Sequence, residues 1–148
     1  METLNVEMRG QLENSEVALR FIKGGNSTFT LVGAKNRFTY KVKRTEFDQD
    51  KYFVMLMNGS DNENSFVYMG MLFPNSKGIK TTKGGKVGEN AQSFIAFNYV
   101  YKYLTNGIIP NGVKIYHEGR CGRCGRKLTV PQSIEMGFGS ECASILGI

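Results

Sequence analysis

The chain has 148 residues, enough for one domain or one domain with a small appendage. Its hydrophobic fraction of 41% supports a core, and no apolar run is long enough to cross a bilayer, which excludes a transmembrane helix. The net charge of +6 is one-sided: residues 1–73 balance nine Lys/Arg against nine Asp/Glu, while residues 74–148 set ten Lys/Arg against four acids. That surplus is the footprint of a nucleic-acid binder, or of a solubilising surface.

Residues 1–13 show no sustained period and are expected to form an irregular arm. They lack a basic n-region and an apolar h-region, so a secretory signal is not expected. A cytoplasmic location with reduced thiols follows as the expectation. Asn14 precedes a segment, 16–23, whose Val17, Ala18, Phe21 and Ile22 share one helical face. Val17, Leu19 and Phe21 also alternate, so a strand competes; the cap favours the helix. Gly24 and Gly25 would end it in the left-handed region.

A β-rich stretch follows. Residues 27–32 alternate Phe29 and Leu31 with threonines. Residues 37–44 place Phe38, Tyr40 and Val42 on one face and Arg37, Thr39, Lys41 and Lys43 on the other. Residues 51–57 are apolar on both faces and suit a central strand. Residues 58–64 are a polar loop, and 65–73 another strand. The order predicts a meandering antiparallel sheet of four strands. The methionines, mostly at 55–71, read as core filler. Tyr40, Tyr52 and Tyr68 fit either core packing or a stacking platform for single-stranded nucleic acid.

Residues 74–88 carry Lys77, Lys80, Lys83 and Lys86 at every third position with no acid, and predict an exposed loop. The glycines at 84, 85 and 88 lack the Gly-Lys-Ser/Thr ending of a phosphate loop. Residues 89–104 predict a helix with Phe94, Phe97, Tyr101 and Leu104 near one stripe, ended by Asn106-Gly107. A short strand at 113–116 then delivers His117. The organisation expected is an arm (1–13), an α+β domain (14–112) and a metal-binding module (113–148).

The chemistry concentrates in "HEGRCGRCGRKLT", residues 117–129. With Cys142 the ligand set reads His117-x3-Cys121-x2-Cys124-x17-Cys142, four donors for a tetrahedral zinc. Glycines around the cysteines allow backbone N–H groups to turn toward the thiolates. Residues 128–136 predict a short helix with a Thr129-to-Gln132 capping box. Ser140 would cap a last helix with Cys142 in its first turn. A knuckle plus a ligand at a helix start is treble-clef-like, and suits a segment too small for its own core. A redox pair lacks its strand–helix setting, and a structural disulfide does not suit three reduced cysteines. If His117 is not a ligand, a three-cysteine site with an open position results. Arg120, Arg123, Arg126 and Lys127 either grip phosphate or offset thiolate charge. No carboxylate pair, Ser/His/Asp set or second histidine offers catalytic machinery, so no enzyme activity is expected.

The stretches "ALRFIKGGNSTFTLV" (18–32), "RFTYKV" (37–42), "NGSDNENSFVYMG" (58–70) and "HEGRCGRCGRKLTVPQSIEMGFGSEC" (117–142) resemble an uncharacterised family found largely in bacteriophages and prophages. The resemblance spans about residues 17–146. Ser140 stands where proline is common in that family. It implies a phage origin and zinc binding, and no particular activity.

The expectations are therefore an α+β fold, an antiparallel sheet packed by the 89–104 helix, with a C-terminal zinc module holding one structural zinc. The first functional reading is a nucleic-acid-binding accessory protein using the lysine loop and the arginines. The alternative is a phage protein that binds and inhibits a host or defence protein, such as a CRISPR effector. A zinc hydrolase using Glu118 requires an open ligand position.

Overall fold

The computed structural model describes residues 10–46, 50–58 and 65–148. Residues 1–9 of the expected arm (1–13) and 59–64 of the polar loop (58–64) lie outside them. Five strands form one antiparallel sheet: β1 (Asn26–Val32), β2 (Arg37–Arg44), β3 (Tyr52–Met57), β4 (Phe66–Leu72) and β5 (Lys114–His117), in the order β4-β3-β2-β1-β5. The first four make the predicted meander. The fifth returns to the far edge and pairs with β1, Phe29 opposite His117 and Leu31 opposite Ile115. Residues 114–117 are thus part of the sheet as well as the start of the C-terminal segment.

Helix α1 (Ser15–Ile22) resolves the helix-or-strand ambiguity. Asn14 Oδ1 accepts from the backbone N–H groups of Glu16 (2.9 Å) and Val17 (3.1 Å), satisfying two otherwise orphan donors. Ala18, Phe21 and Ile22 form its buried face. The helix ends at Lys23 with right-handed backbone, and of the two glycines that follow, Gly25 alone has positive φ. Gly24 is needed for contact instead: a Cβ there would sit 2.6 Å from Gly122 O.

Helix α2 (Gln92–Thr105) starts three residues later than expected, because Ala91 is still extended (φ −69°, ψ 143°). Its Phe94, Phe97, Tyr101 and Leu104 are buried, with Val100. They cover one face of the sheet, where Phe97 meets Phe29 (6.2 Å) and Tyr40 (5.2 Å). The Tyr40 hydroxyl donates to Ser93 O at 2.6 Å, and burial pushes its phenol well above the usual range. This bond ties the middle of the sheet to the start of α2.

Residues 10–12 do not behave as a loose arm. Gln11 bridges to Tyr116, the Leu12 N–H donates to Ile115 O (2.8 Å), and the His117 N–H donates to Gly10 O (2.9 Å). The free edge of β5 is thereby covered, which disposes of unpaired backbone groups. Along β4 the lysine loop does the same. Met71 and Lys80 exchange backbone bonds, and the Lys86 N–H donates to Tyr68 O (2.8 Å). The Ile79 N–H is held by Asn98 Oδ1 of α2 (2.7 Å), so the loop is pinned even though Lys77, Lys80, Lys83 and Lys86 are all exposed.

Candidate metal centre and basic surfaces

Beyond β5 the chain makes a small knuckle. Arg120 bridges to Lys127, the Cys121 N–H donates to Arg126 O (2.8 Å), and the Gly125 N–H donates to Cys121 O (2.9 Å). Gly119 and Gly125 both have positive φ, +82° and +79°, which this tight reversal requires. Helix α3 (Pro131–Met136) follows, with Pro131 in its first turn. Thr129 does not cap it. Val130, extended because it precedes proline, takes the cap position and supplies no side-chain acceptor. Helix α4 (Ser140–Leu146) begins at Ser140 with Gly139 as its cap residue, so Ser140 lies inside the helix and makes no cap bond.

This path brings the sulfur atoms of Cys121, Cys124 and Cys142 within 4.8 Å of one another. All three thiols are free. Sulfurs on a tetrahedral zinc at about 2.3 Å lie roughly 3.8 Å apart, so a small inward movement meets the requirement. The Arg123 N–H points at Cys121 Sγ (3.4 Å) and the Arg123 guanidinium at Cys142 Sγ (3.6 Å). Burial pushes the Cys121 thiol up, but backbone N–H donors of Cys124, Gly139 and Arg123 outweigh it and leave it at about 7. Burial raises the Cys142 thiol, with Arg123 opposing and the neighbouring cysteines adding to the rise. Donor set, spacing and thiolate stabilisation all fit a metal ion.

His117 does not join them, which corrects the four-ligand expectation. It stands on the core face of β5 opposite Phe29 and is 2% exposed. Its Nδ1 accepts from the Gly119 N–H (2.9 Å), which leaves Nε2 to donate to Ile134 O (2.6 Å). Both ring nitrogens are therefore engaged. Burial holds the imidazole below its usual pKa, with the Ile134 bond opposing, so it is neutral near pH 7. The x3 spacing to Cys121 suits a ligand in sequence, but strand parity sends the ring into the core.

The knuckle docks on α1 through glycines. A Cβ at Gly122 would lie 2.7 Å from the Phe21 ring, and one at Gly137 2.5 Å from it. The Phe21 ring is therefore flanked by both glycines, and it also meets His117 (5.2 Å) and Phe138 (6.0 Å). The Gly122 N–H donates to Gly137 O (2.9 Å), and the Asn26 N–H to Gly122 O (2.8 Å). The sequence places Phe21 on the apolar face of α1 and Gly122 in the turn around the thiolates, but not their contact; the glycine after Cys121 and after Cys124 is the available signal.

The basic residues divide by function. Arg123 faces the sulfurs, and the Arg120 guanidinium donates to Gly125 O (3.2 Å), bracing the knuckle. Arg126 and Lys127 are exposed on a cavity of about 360 Å³ whose wall also holds the three cysteines, Arg123 and Glu141. Glu118 is not on that wall. The lysine loop lies at the β4 edge, whereas the knuckle lies against the start of β1, where the Asn26 N–H donates to Gly122 O. Three strand spacings, roughly 14 Å, separate β4 from β1. The predicted contact residues therefore form two groups rather than one patch.

Residues 115–147 match the family of unknown function DUF6011. The match begins inside β5 and runs through α4, so it takes in His117 and the three cysteines. The upstream stretches that carry the phage-family resemblance lie outside it. No curated protein and no solved structure matches the chain. Among the described residues, no helix is long and apolar enough to cross a membrane.

Proposed function

We propose that this is a cytoplasmic nucleic-acid-binding protein whose DUF6011 segment is held together by one structural zinc ion. Zinc suits three thiolates at the start of a helix and beside a Gly-rich turn, in a segment with little core of its own. When bound it would neutralise the thiolates and cross-link the knuckle to α4. With His117 turned into the core, the three thiolates would hold the ion and leave a fourth position for solvent or a group from a partner. Cys121, Cys124 and Cys142 supply the anionic cage, and Arg123 offsets its excess charge.

The observation that carries the nucleic-acid reading is the division of the cations. Arg123 faces the sulfurs and the exposed Arg120 braces the knuckle, while Arg126 and Lys127 are exposed on the cavity wall, where phosphate can reach them. Purified protein is expected to contain one zinc per chain and to bind nucleic acid with an affinity that falls steeply as salt rises. Absence of binding to single- or double-stranded DNA or RNA at low salt would overturn the reading.

The hydrolase alternative gains an open ligand position but not its acid, since Glu118 does not line the cavity. The host-inhibitor alternative rests on the phage-family resemblance, and no described residue adds to it.

A further inference from the structure

The two separated basic groups are connected by the sheet face opposite α2. That face is read from the register. One cross-strand row runs Asn26–Lys43–Phe53–Met71, and Met71 pairs in turn with Lys80 of the lysine loop. A second row runs Thr28–Lys41–Met55–Tyr68, and Tyr68 O accepts from the Lys86 N–H. At the other end the rows meet the knuckle: a Cβ on Gly125 would sit 3.0 Å from Asn26 Nδ2, and one on Gly25 3.6 Å from both Arg123 O and the Arg44 guanidinium.

These rows carry Lys41 and Lys43 and no acid. The five strands carry Arg37, Lys41, Lys43, Arg44 and Lys114 and not one Asp or Glu. Phe53 is 39% exposed and meets Tyr68 edge-on at 6.0 Å. Both rings line an open depression of about 720 Å³ with Lys43, Arg44 and Met55; among the described residues Glu46 is the single carboxylate on that wall. An exposed ring beside Lys43 and Arg44, with cations outnumbering the carboxylate, suits a polyanion that also offers a flat apolar face.

We infer that this face, Phe53 and Tyr68 flanked by Lys41 and Lys43, binds single-stranded nucleic acid running across the strands from the knuckle to the lysine loop. The inference rests on the nucleic-acid reading above and narrows it. Stacking on Phe53 requires an exposed base face, which a duplex hides and a single strand presents. Lys43 and the lysines at either end supply phosphate contacts.

The test is fluorescence anisotropy with a labelled oligo-dT, a duplex of equal length and a polyglutamate peptide as competitor. Oligo-dT is expected to bind more tightly than the duplex, and polyglutamate to compete poorly. Phe53→Ala should weaken oligo-dT binding by about 5- to 150-fold, the range for losing one base–aromatic stack. Phe53→Tyr should restore it, which separates stacking from misfolding. Lys43→Gln should lower the salt slope by about 0.7. Binding by the wild type that is indifferent to Phe53→Ala but weakened by Arg126→Gln overturns this inference and leaves the broader function standing. Equal competition by polyglutamate, or preference for the duplex, also overturns it. No binding of any nucleic acid by the wild type overturns both.

Discussion

The His117 Nε2 atom lies 2.6 Å from the carbonyl oxygen of Ile134. That bond, not a metal, joins the end of β5 to the last full turn of α3. It places the histidine in the framework around the cysteines rather than among the ligands.

His117→Ala should therefore keep its zinc while losing stability. The substitution empties a buried site against Phe21 and leaves the Ile134 carbonyl without its donor, costing about 2–4 kcal/mol. Metal content and urea unfolding on the same sample check both halves. Loss of zinc with unchanged stability would return His117 to the ligand set.

Acid should destabilise the protein through the same residue. Burial lowers the folded pKa of His117 below its unfolded value near 6.5, so the unfolded chain binds the proton more readily. The stabilising contribution is full above about pH 6.5 and is lost as pH falls through the folded value. Melting temperatures of wild type and His117→Gln, both measured without metal, should converge as pH drops from 7.5 to 5.5.

Cys121→Ser and Cys142→Ser should each abolish tight zinc binding, because two thiolates remain from a set of three. Chelation of the wild type should mimic them. Hydrogen exchange should then speed up over residues 118–148 while α2 and β1–β3 stay protected, since their packing around Phe29, Tyr40 and Phe97 does not involve the metal. Simultaneous loss of protection throughout would contradict a locally acting zinc.

Gly137→Ala is expected to be among the most damaging single changes. Its φ is +81° and the added Cβ would lie 2.5 Å from the Phe21 ring. Strain and clash together should cost more than about 2 kcal/mol. Gly112→Ala is the control, because its φ is also +81° but no atom lies within 4 Å of the added Cβ. A similar drop in melting temperature for both would show that backbone conformation alone, not the Phe21 contact, sets the cost.

Much of this molecule is legible in its sequence. The alternation in 37–44, the apolar stripe of α2 and the Asn14 cap each report a local preference, and local preferences survive in the fold. The cysteine spacing belongs to the same class, because a knuckle is a local turn and α4 places Cys142 in its first turn. What the tertiary structure alone decided is where side chains meet. Strand parity turned His117 away from Cys121 and toward Phe21. The close approach of the Gly122 backbone explains Gly24, which a reading of helix ends misassigns, and the Phe21 ring explains Gly122. Residues 52–57 are apolar on both faces, yet α2 covers only one of them. Phe53 on the other is left in water, and whether an apolar strand face finds a partner layer depends on distant segments that no local pattern encodes.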